Sequence, residues 1–429
     1  MKLPQLFEIE NTQYGRLLFR GINKNEIISD EELADGKNLD SELIPAICPR
    51  KPIEKIKKLN DPQFFQIING KLCYIDGTDF YYDGTKKGTV IEGQKSVVDF
   101  NGNIVIFPDK KYYDYIEDEW GEFESPDIDY ATVHYNRIFG IKGSDVRASK
   151  PGQFKEMIHW EDFSGTALDS WAADVYSPGD FTGITTYQDH VVFFKGDQMY
   201  ELYGYIPSQF KILETAKVGC IDYRSIAEVA GMLFFVNEKG VQVYTGGMPR
   251  TISQKLNIQK LTSGVGIGDG RKYYISFDGT TYIYDTWNQL WYPYLDKEII
   301  NFSKDDKDIY ALASDGYIYK LESGDEQVEW MAETKIYDEG LFNKKYLKAI
   351  RLKLKMDLDA ELKVYVRVDE GDYRLRHYLK NTELYHKTHR ESIIKIPMQR
   401  ASNYQIKLEG KGRAIVYGEK EYAVGSDKQ

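Results

Sequence analysis

Seven segments between residues 61 and 324 repeat one pattern: a short apolar strand, a tight polar or glycine-containing turn, and a second strand carrying Tyr or Val. They read KLCYIDGTDFYYDG (71–84), NIVIFPDKKYYDYI (103–116), NRIFGIKGSDVRAS (136–149), HVVFFKGDQMYELYG (190–204), MLFFVNEKGVQVYTGG (232–247), KYYISFDGTTYIYD (272–285) and DIYALASDGYIYKL (308–321). Apolar side chains fall on both faces of many of these strands. That suits sheets buried on both sides, as stacked blades are. Hairpins recur at about 30 to 41 residues, for example from Ile75 to Ile106 and from Phe194 to Phe235. A four-stranded blade takes roughly 40 to 50 residues. A plain β-sandwich predicts strands every 8 to 12 residues or so but gives no reason for the longer period. The spacing therefore predicts an all-β chain built on a β-propeller of about seven blades. The longer interval at 150–190 holds WEDFSGTALDSW and reads as a blade with a loop insertion.

The turns carry suitable residues. Asp76-Gly77, Asp278-Gly279 and Asp315-Gly316 suit type I′ hairpins, where both central residues need positive φ. Lys195-Gly196 and Lys239-Gly240 suit slightly longer loops. The 34 Tyr and 20 Phe fit pleated, half-buried surfaces.

The two ends read differently. Residues 1–60 open with a strand-like run at 14–19 and turn polar, so they are expected to form an extended arm lying on the propeller (61–328) or on a neighbouring subunit. Ser29 followed by Glu32 is a capping-box pattern for a short helix. Residues 329–429 carry the alternating runs AIRLKLKMDL, LKVYVRV, SIIKIP and YQIKLEG, with Val364, Val366 and Val368 on one face. They predict a C-terminal β-sandwich.

Charge changes sign at the same place. Residues 331–429 hold about 21 basic and 15 acidic side chains, against 35 and 52 in the first 330, for a net −11 overall. A chain this acidic is a poor match for nucleic acid or an anionic membrane surface. Cys48, Cys73 and Cys220 are odd in number and far apart, which predicts neither a disulfide framework nor a zinc site and fits synthesis in a reducing cytoplasm. No run has the length of a signal-peptide core or a membrane span, so manufacture without Sec export and no membrane insertion are expected.

Motifs for chemistry are sparse. The glycine cluster SGVGIGDGRKYY (263–274) lacks the following helix of a dinucleotide loop and reads as an inter-blade turn. His386 and His389 stand three apart without a third ligand, and His134, His159 and His190 read as packed or singly exposed. Asp305, Asp306 and Asp308 lack the order of a calcium loop. No Walker loop, GxSxG elbow or sialidase-type Asp-box occurs, and no catalytic residue, metal ligand or cofactor is expected. Trp171, Trp287, Trp291, Tyr292 and Tyr294, with Trp160, are the candidates for a glycan or partner contact, set against their use in blade-to-blade packing.

Four stretches resemble bacteriophage tail and head–tail proteins with propeller folds, of the packaged-DNA stabilisation or tail-hub type found also in prophages of Gram-positive bacteria. They are ADGKNLDSELIPAICPRKP (34–52), YNRIFGIKGSDVRASKPGQF (135–154), FTGITTYQDHVVFFKGDQMYELYG (181–204) and VGCIDYRSIAEVAGMLFFVNEKGVQVYTGGMPRTIS (218–253). The resemblance covers about residues 15–325 and brings no catalytic residues with it. It implies a non-enzymatic tail or baseplate subunit of a virion, assembled in the cytoplasm of a host bacterium. Its partners would be other particle proteins, with several copies in a ring. A receptor- or glycan-binding module of the same particle is the alternative, and a propeller glycosidase a further one.

Overall fold

The computed structural model describes residues 11–152, 154, 159–382 and 388–424. His386 and the first ten residues lie outside them. The described chain is all-β in its main elements, with three short 3-10 turns between strands.

Seven four-stranded antiparallel sheets follow one another along the middle of the chain. Six are consecutive meanders over 62–89, 96–122, 130–174, 181–216, 227–251 and 265–295. The seventh joins Ile299–Asp305, Asp308–Ala313 and Tyr317–Lys320 to a strand from far upstream, Glu54–Lys58. Each repeated hairpin of the sequence forms the second and third strands of one of these sheets. These middle strands pair on both edges and pack on both faces, which is why they are apolar and short.

The cores lie between the sheets. Phe64, Ile75 and Phe80 of the first sheet meet Ile104, Ile106 and Tyr113 of the second. Val105 and Phe107 on the other face of the second meet Ile138 of the third. The same exchange links third to fourth, fourth to fifth and fifth to sixth. Tyr274 and Ile283 of the sixth share a core with Phe302, Ala311 and Tyr319 of the seventh. Phe65 and Tyr74 of the first pack on Leu312 and Ile318 of the seventh, so the series returns to its start. Four-stranded sheets stacked face to face in this way fit the blades of a propeller.

Residues outside the seven sheets form two more. One runs Leu33–Lys37, Glu329–Thr334, Tyr404–Lys411, Glu361–Val368, Arg374–Lys380, and the other Asn11–Leu17, Ala414–Val424, Lys345–Met356, His389–Lys395. Their facing sides share one core that includes Ile350, Leu352, Leu354, Leu362, Val364, Ile406 and Leu408. The segment expected to be an extended arm is thus integral: it gives one edge strand to each terminal sheet, and Glu54–Lys58 to the seventh of the blade-like sheets. The physical reason is backbone demand: a neighbouring strand supplies hydrogen-bond partners to the N–H and C=O groups that such a segment turns away from water.

Three local expectations differ from the structure. Ser29 and Glu32 make only half of a capping box: Ser29 N donates to Glu32 Oε2 at 2.9 Å, but Glu32 N donates to the Ser29 backbone carbonyl at 3.2 Å, and a turn forms because the chain enters the strand Leu33–Lys37 at once. Of the three Asp-Gly turns only Asp278-Gly279 places both residues at positive φ, +49° and +75°. In the other two the glycine alone does so, because the strand pairing shifts it to a different turn position. The glycine cluster contains the strand Val265–Gly268, not merely a turn. A Cβ on Gly266 would sit 2.6 Å from the Tyr273 hydroxyl, and one on Gly268 would sit 2.4 Å from Val229. These glycines make room for neighbours and leave no phosphate cradle.

Candidate functional site

The first strands of all seven sheets surround one cavity of about 410 Å³, lined among others by Phe65, Lys95, Thr185, Arg224, Ile267 and Ser303. Of its cationic groups Lys95, Arg224 and Lys304, the first two are ion-paired, Lys95 with buried Asp109 at 2.7 Å and Arg224 with Asp222 at 2.8 Å. Tyr223 reaches across to donate to the Lys95 carbonyl at 2.8 Å, and Ser303 Oγ accepts from Ile67 N at 2.7 Å. The lining contains no aspartate, glutamate, histidine or cysteine; its polar groups are lysine, arginine, serine, threonine, tyrosine and amide side chains.

The aromatic residues singled out in the sequence do not converge. Trp291, Tyr292 and Tyr294 are buried, which removes them as a surface platform. They stand on the outer strand of the sixth sheet, an edge that residues 20–41 cover: Ile22 N donates to Trp291 O at 2.8 Å, and Lys272 Nζ pairs with Asp40 at 2.6 Å. Trp160 is also buried. Trp171 is half-buried and packs edge-on against Phe210. Trp287 alone is well exposed, at 74%, with the Arg271 guanidinium 4.5 Å from its ring centre. His389 is exposed on a strand of the terminal four-stranded sheet. Among the described residues no group of three or more His, Cys, Asp or Glu side chains is placed to hold a metal ion.

A cluster that the sequence did not suggest lies where three turns of the third and fourth sheets meet. Tyr135 and Asn136 form the tip of the first hairpin of the third sheet, both at positive φ (+46° and +57°), the signature of a type I′ turn. Gln188 and Asp189 form the corresponding tip in the fourth. Tyr203, Gly204 and Tyr205 end that sheet's third strand. Gly204 has φ +117°, and a Cβ there would sit 2.7 Å from Gln209 O, so only glycine makes this bend.

These turns bring aromatic rings together. Tyr135 and Tyr205 lie 4.8 Å apart between ring centres, His134 lies 3.8 Å from Tyr135, and His190 stacks on Tyr203 at 4.6 Å. The Asp189 carbonyl accepts from Tyr135 Oη at 3.2 Å, with His134 Nε2 3.3 Å away. Asp189 Oδ1 lies 3.2 Å from His190 Nδ1, and His190 Nε2 lies 3.3 Å from Glu201 Oε1. Glu201 also accepts from Tyr203 Oη at 2.8 Å and from Tyr244 Oη of the fifth sheet.

The electrostatics follow from burial against hydrogen bonding. Burial alone would raise the Glu201 carboxyl, but donors from His190, Tyr244 and Tyr203 hold it down at about 2. Burial opposes the His190 imidazolium, yet Glu201 and Asp189 outweigh it and raise its pKa. Tyr203 is pushed up to about 12 by burial and by the carboxylate it serves. His134, buried with no carboxylate in contact, is lowered by desolvation. His134 and His190 are therefore members of one cluster, whereas the sequence had suggested isolated residues. The available signal was a Tyr-Asn hairpin tip at 135–136 and a Tyr-Gly-Tyr exit at 203–205, about seventy residues apart.

No family model matches the sequence, and no curated protein matches it. Among solved structures the chain is similar to BamB from Moraxella catarrhalis, at 9% identity and TM-score 0.44, covering 65% of this chain and 98% of that one. It is similar to a catalytically inactive virginiamycin B lyase from Staphylococcus aureus with quinupristin, at 12% identity and TM-score 0.44, covering 63% and 98%. It is also similar to Hsv2 from Kluyveromyces lactis, at 10% identity and TM-score 0.35, covering 54% and 75%.

Proposed function

We propose that the chain is a non-enzymatic structural subunit of a phage tail, baseplate or phage-derived particle. In this reading it is a seven-bladed propeller closed by the strand Glu54–Lys58, with a β-sandwich made of the two terminal sheets. The proposal starts from the resemblance of residues 15–325 to tail and head–tail propeller proteins. The observation that most supports it is the interlocking of the chain's ends. Sequence-distant strands complete the seventh sheet and both terminal sheets, and residues 20–41 fasten those sheets to the sixth. Such a body is stiff and offers faces and edges on which neighbours can dock.

The cavity supports the non-enzymatic reading, since it lacks the two carboxylates that sugar hydrolysis requires. Charge supports repeated copies, because a basic C-terminal region beside an acidic body favours contacts between subunits. The test is mass spectrometry of particles purified after induction of the host lysogen. The protein should be present at several copies per particle, and its absence from purified particles overturns the proposal.

A further inference from the structure

The geometry points to a neutral saccharide as the ligand of an exposed platform formed by Tyr135, Tyr203 and Tyr205 with Asp189 at its side. This goes beyond the particle-subunit reading and does not depend on it.

Backbone strain marks the platform. Of 18 described non-glycine residues with positive φ, Tyr135 is the only aromatic one, and most of the others are Asn or Asp. Asn and Asp tolerate this region, whereas a bulky side chain held there costs on the order of 1–3 kcal/mol. A turn built for stability alone would carry Asn or Gly at this point. Tyr205 is also placed at a cost, by a bend that only Gly204 can make. The result is a group of rings that face water, Tyr135 packed on Tyr205 and Tyr203 on His190: Tyr205 is 62% exposed, Tyr135 39% and Tyr203 37%.

The polar groups fit hydroxyl recognition. The Asp189 side chain is 67% exposed beside buried His190, so its carboxylate can accept from sugar hydroxyls while the imidazole fixes its position. The hydrogen bond with His190 lowers the pKa of this exposed carboxyl, so it stays charged and would repel an anionic sugar. Flat rings offer their faces to the C–H side of a pyranose, as they do to other apolar faces. Three rings are too few for a stable protein interface, which buries about 800 Å² on each partner. A single sugar ring or a short chain matches the size.

The experiment uses the full chain and isothermal titration with four neutral hexasaccharides: cellohexaose, maltohexaose, mannohexaose and chitohexaose. At least one should bind. Tyr205→Ala and Tyr135→Asn should each weaken that binding tenfold or more, while Trp287→Ala on the sixth sheet leaves it unchanged. Tyr135→Asn also relieves the strained turn, so its melting temperature should equal or exceed the parent's, which separates loss of the platform from loss of the fold. Binding of none of the four overturns the inference. So does binding that survives both tyrosine substitutions, or that is lost in Trp287→Ala alone.

Discussion

The indole of Trp330 lies across Gly410, its partner on the neighbouring strand, so closely that a Cβ on the glycine would sit 2.1 Å from the ring. The ring is 3% exposed, and its Nε1 donates to Gly412 O at 3.1 Å, so it has no room to move aside. Gly410→Ala should therefore cost about 3 kcal/mol through forced displacement of a buried ring. Gly196→Ala is the control: nothing lies within 4 Å of its Cβ position and its φ is not positive, so its stability should stay within about 0.5 kcal/mol of the parent. Urea unfolding of the two variants checks the contrast.

Arg137 is 1% exposed and has no carboxylate partner in its hydrogen bonding. It donates instead to three carbonyls, those of Ser149 (2.7 Å), Asp169 and Ala167 (2.7 Å), and so pins the inserted loop of the third sheet. Asp169 fastens the same loop from within, accepting from Ser164, Gly165 and Thr166, which holds its carboxyl at about 2. Arg137→Met keeps the stem but strands those carbonyls, at about 1–3 kcal/mol for each buried group left unpaired. The expected outcome is a stability loss of about 3 kcal/mol and early cleavage within 159–170 on limited proteolysis. Resistance equal to the parent's would refute the pinning role.

The difference between what the sequence revealed and what it hid has a physical basis. Middle strands such as His190–Lys195 are buried on both faces and joined by tight turns, so their apolar runs and glycines are local signals. Outer strands such as Glu54–Lys58 and Thr85–Thr89 carry mainly lysine, threonine and glycine, because a rim needs little apolar surface and lysine discourages edge pairing. Closure of the seventh sheet joins Lys58 to Tyr317, a pairing with no local trace. The same applies to the tyrosine platform, whose members are ordinary strand-end residues until three turns bring them together. Trp291, Tyr292 and Tyr294 misled for the converse reason: aromatic richness marked the edge strand that the N-terminal segment covers.

The Glu201–His190–Tyr244 network gives the contact of the fourth and fifth sheets a defined pH response. Glu201 is depressed to about 2 from an ordinary value of 4.5, so its contribution is present above about 4.5 and lost as the pH falls towards 2. His190 is raised above its ordinary 6.5, so its contribution is complete below that value and lost as the pH rises through the higher folded one. The two together are greatest between about pH 4.5 and 6.5. Glu201→Gln should cost about 2 kcal/mol at pH near 5.5, a gap to the parent that narrows as both are acidified. His190→Asn should narrow its gap on the alkaline side instead. Thermal unfolding across pH, with each variant subtracted from the parent, reads both limbs, and a gap that does not change with pH would refute the linkage.

Deleting residues 1–60 separates an arm from a structural element. An arm resting on the surface would leave the remainder folded, with a melting temperature close to the parent's. The structure assigns those residues a different weight. Their loss removes Glu54–Lys58 from the seventh sheet and uncovers the edge Tyr317–Lys320, which would then present unpaired backbone to other chains. It strips Asn11–Leu17 and Leu33–Lys37 from the terminal sheets and exposes buried Tyr292 and Tyr294 on the sixth. Burial of one aromatic side chain is worth roughly 1.5–3 kcal/mol, and a domain's whole margin is only about 5–15 kcal/mol. Uncovering both rings, and losing the core packing of the deleted Leu33, Leu39 and Ile47, should consume that margin. The expected outcome is an aggregated or unfolded product. A soluble 61–429 fragment with a cooperative transition near the parent's would show that the ring closes without its upstream strand.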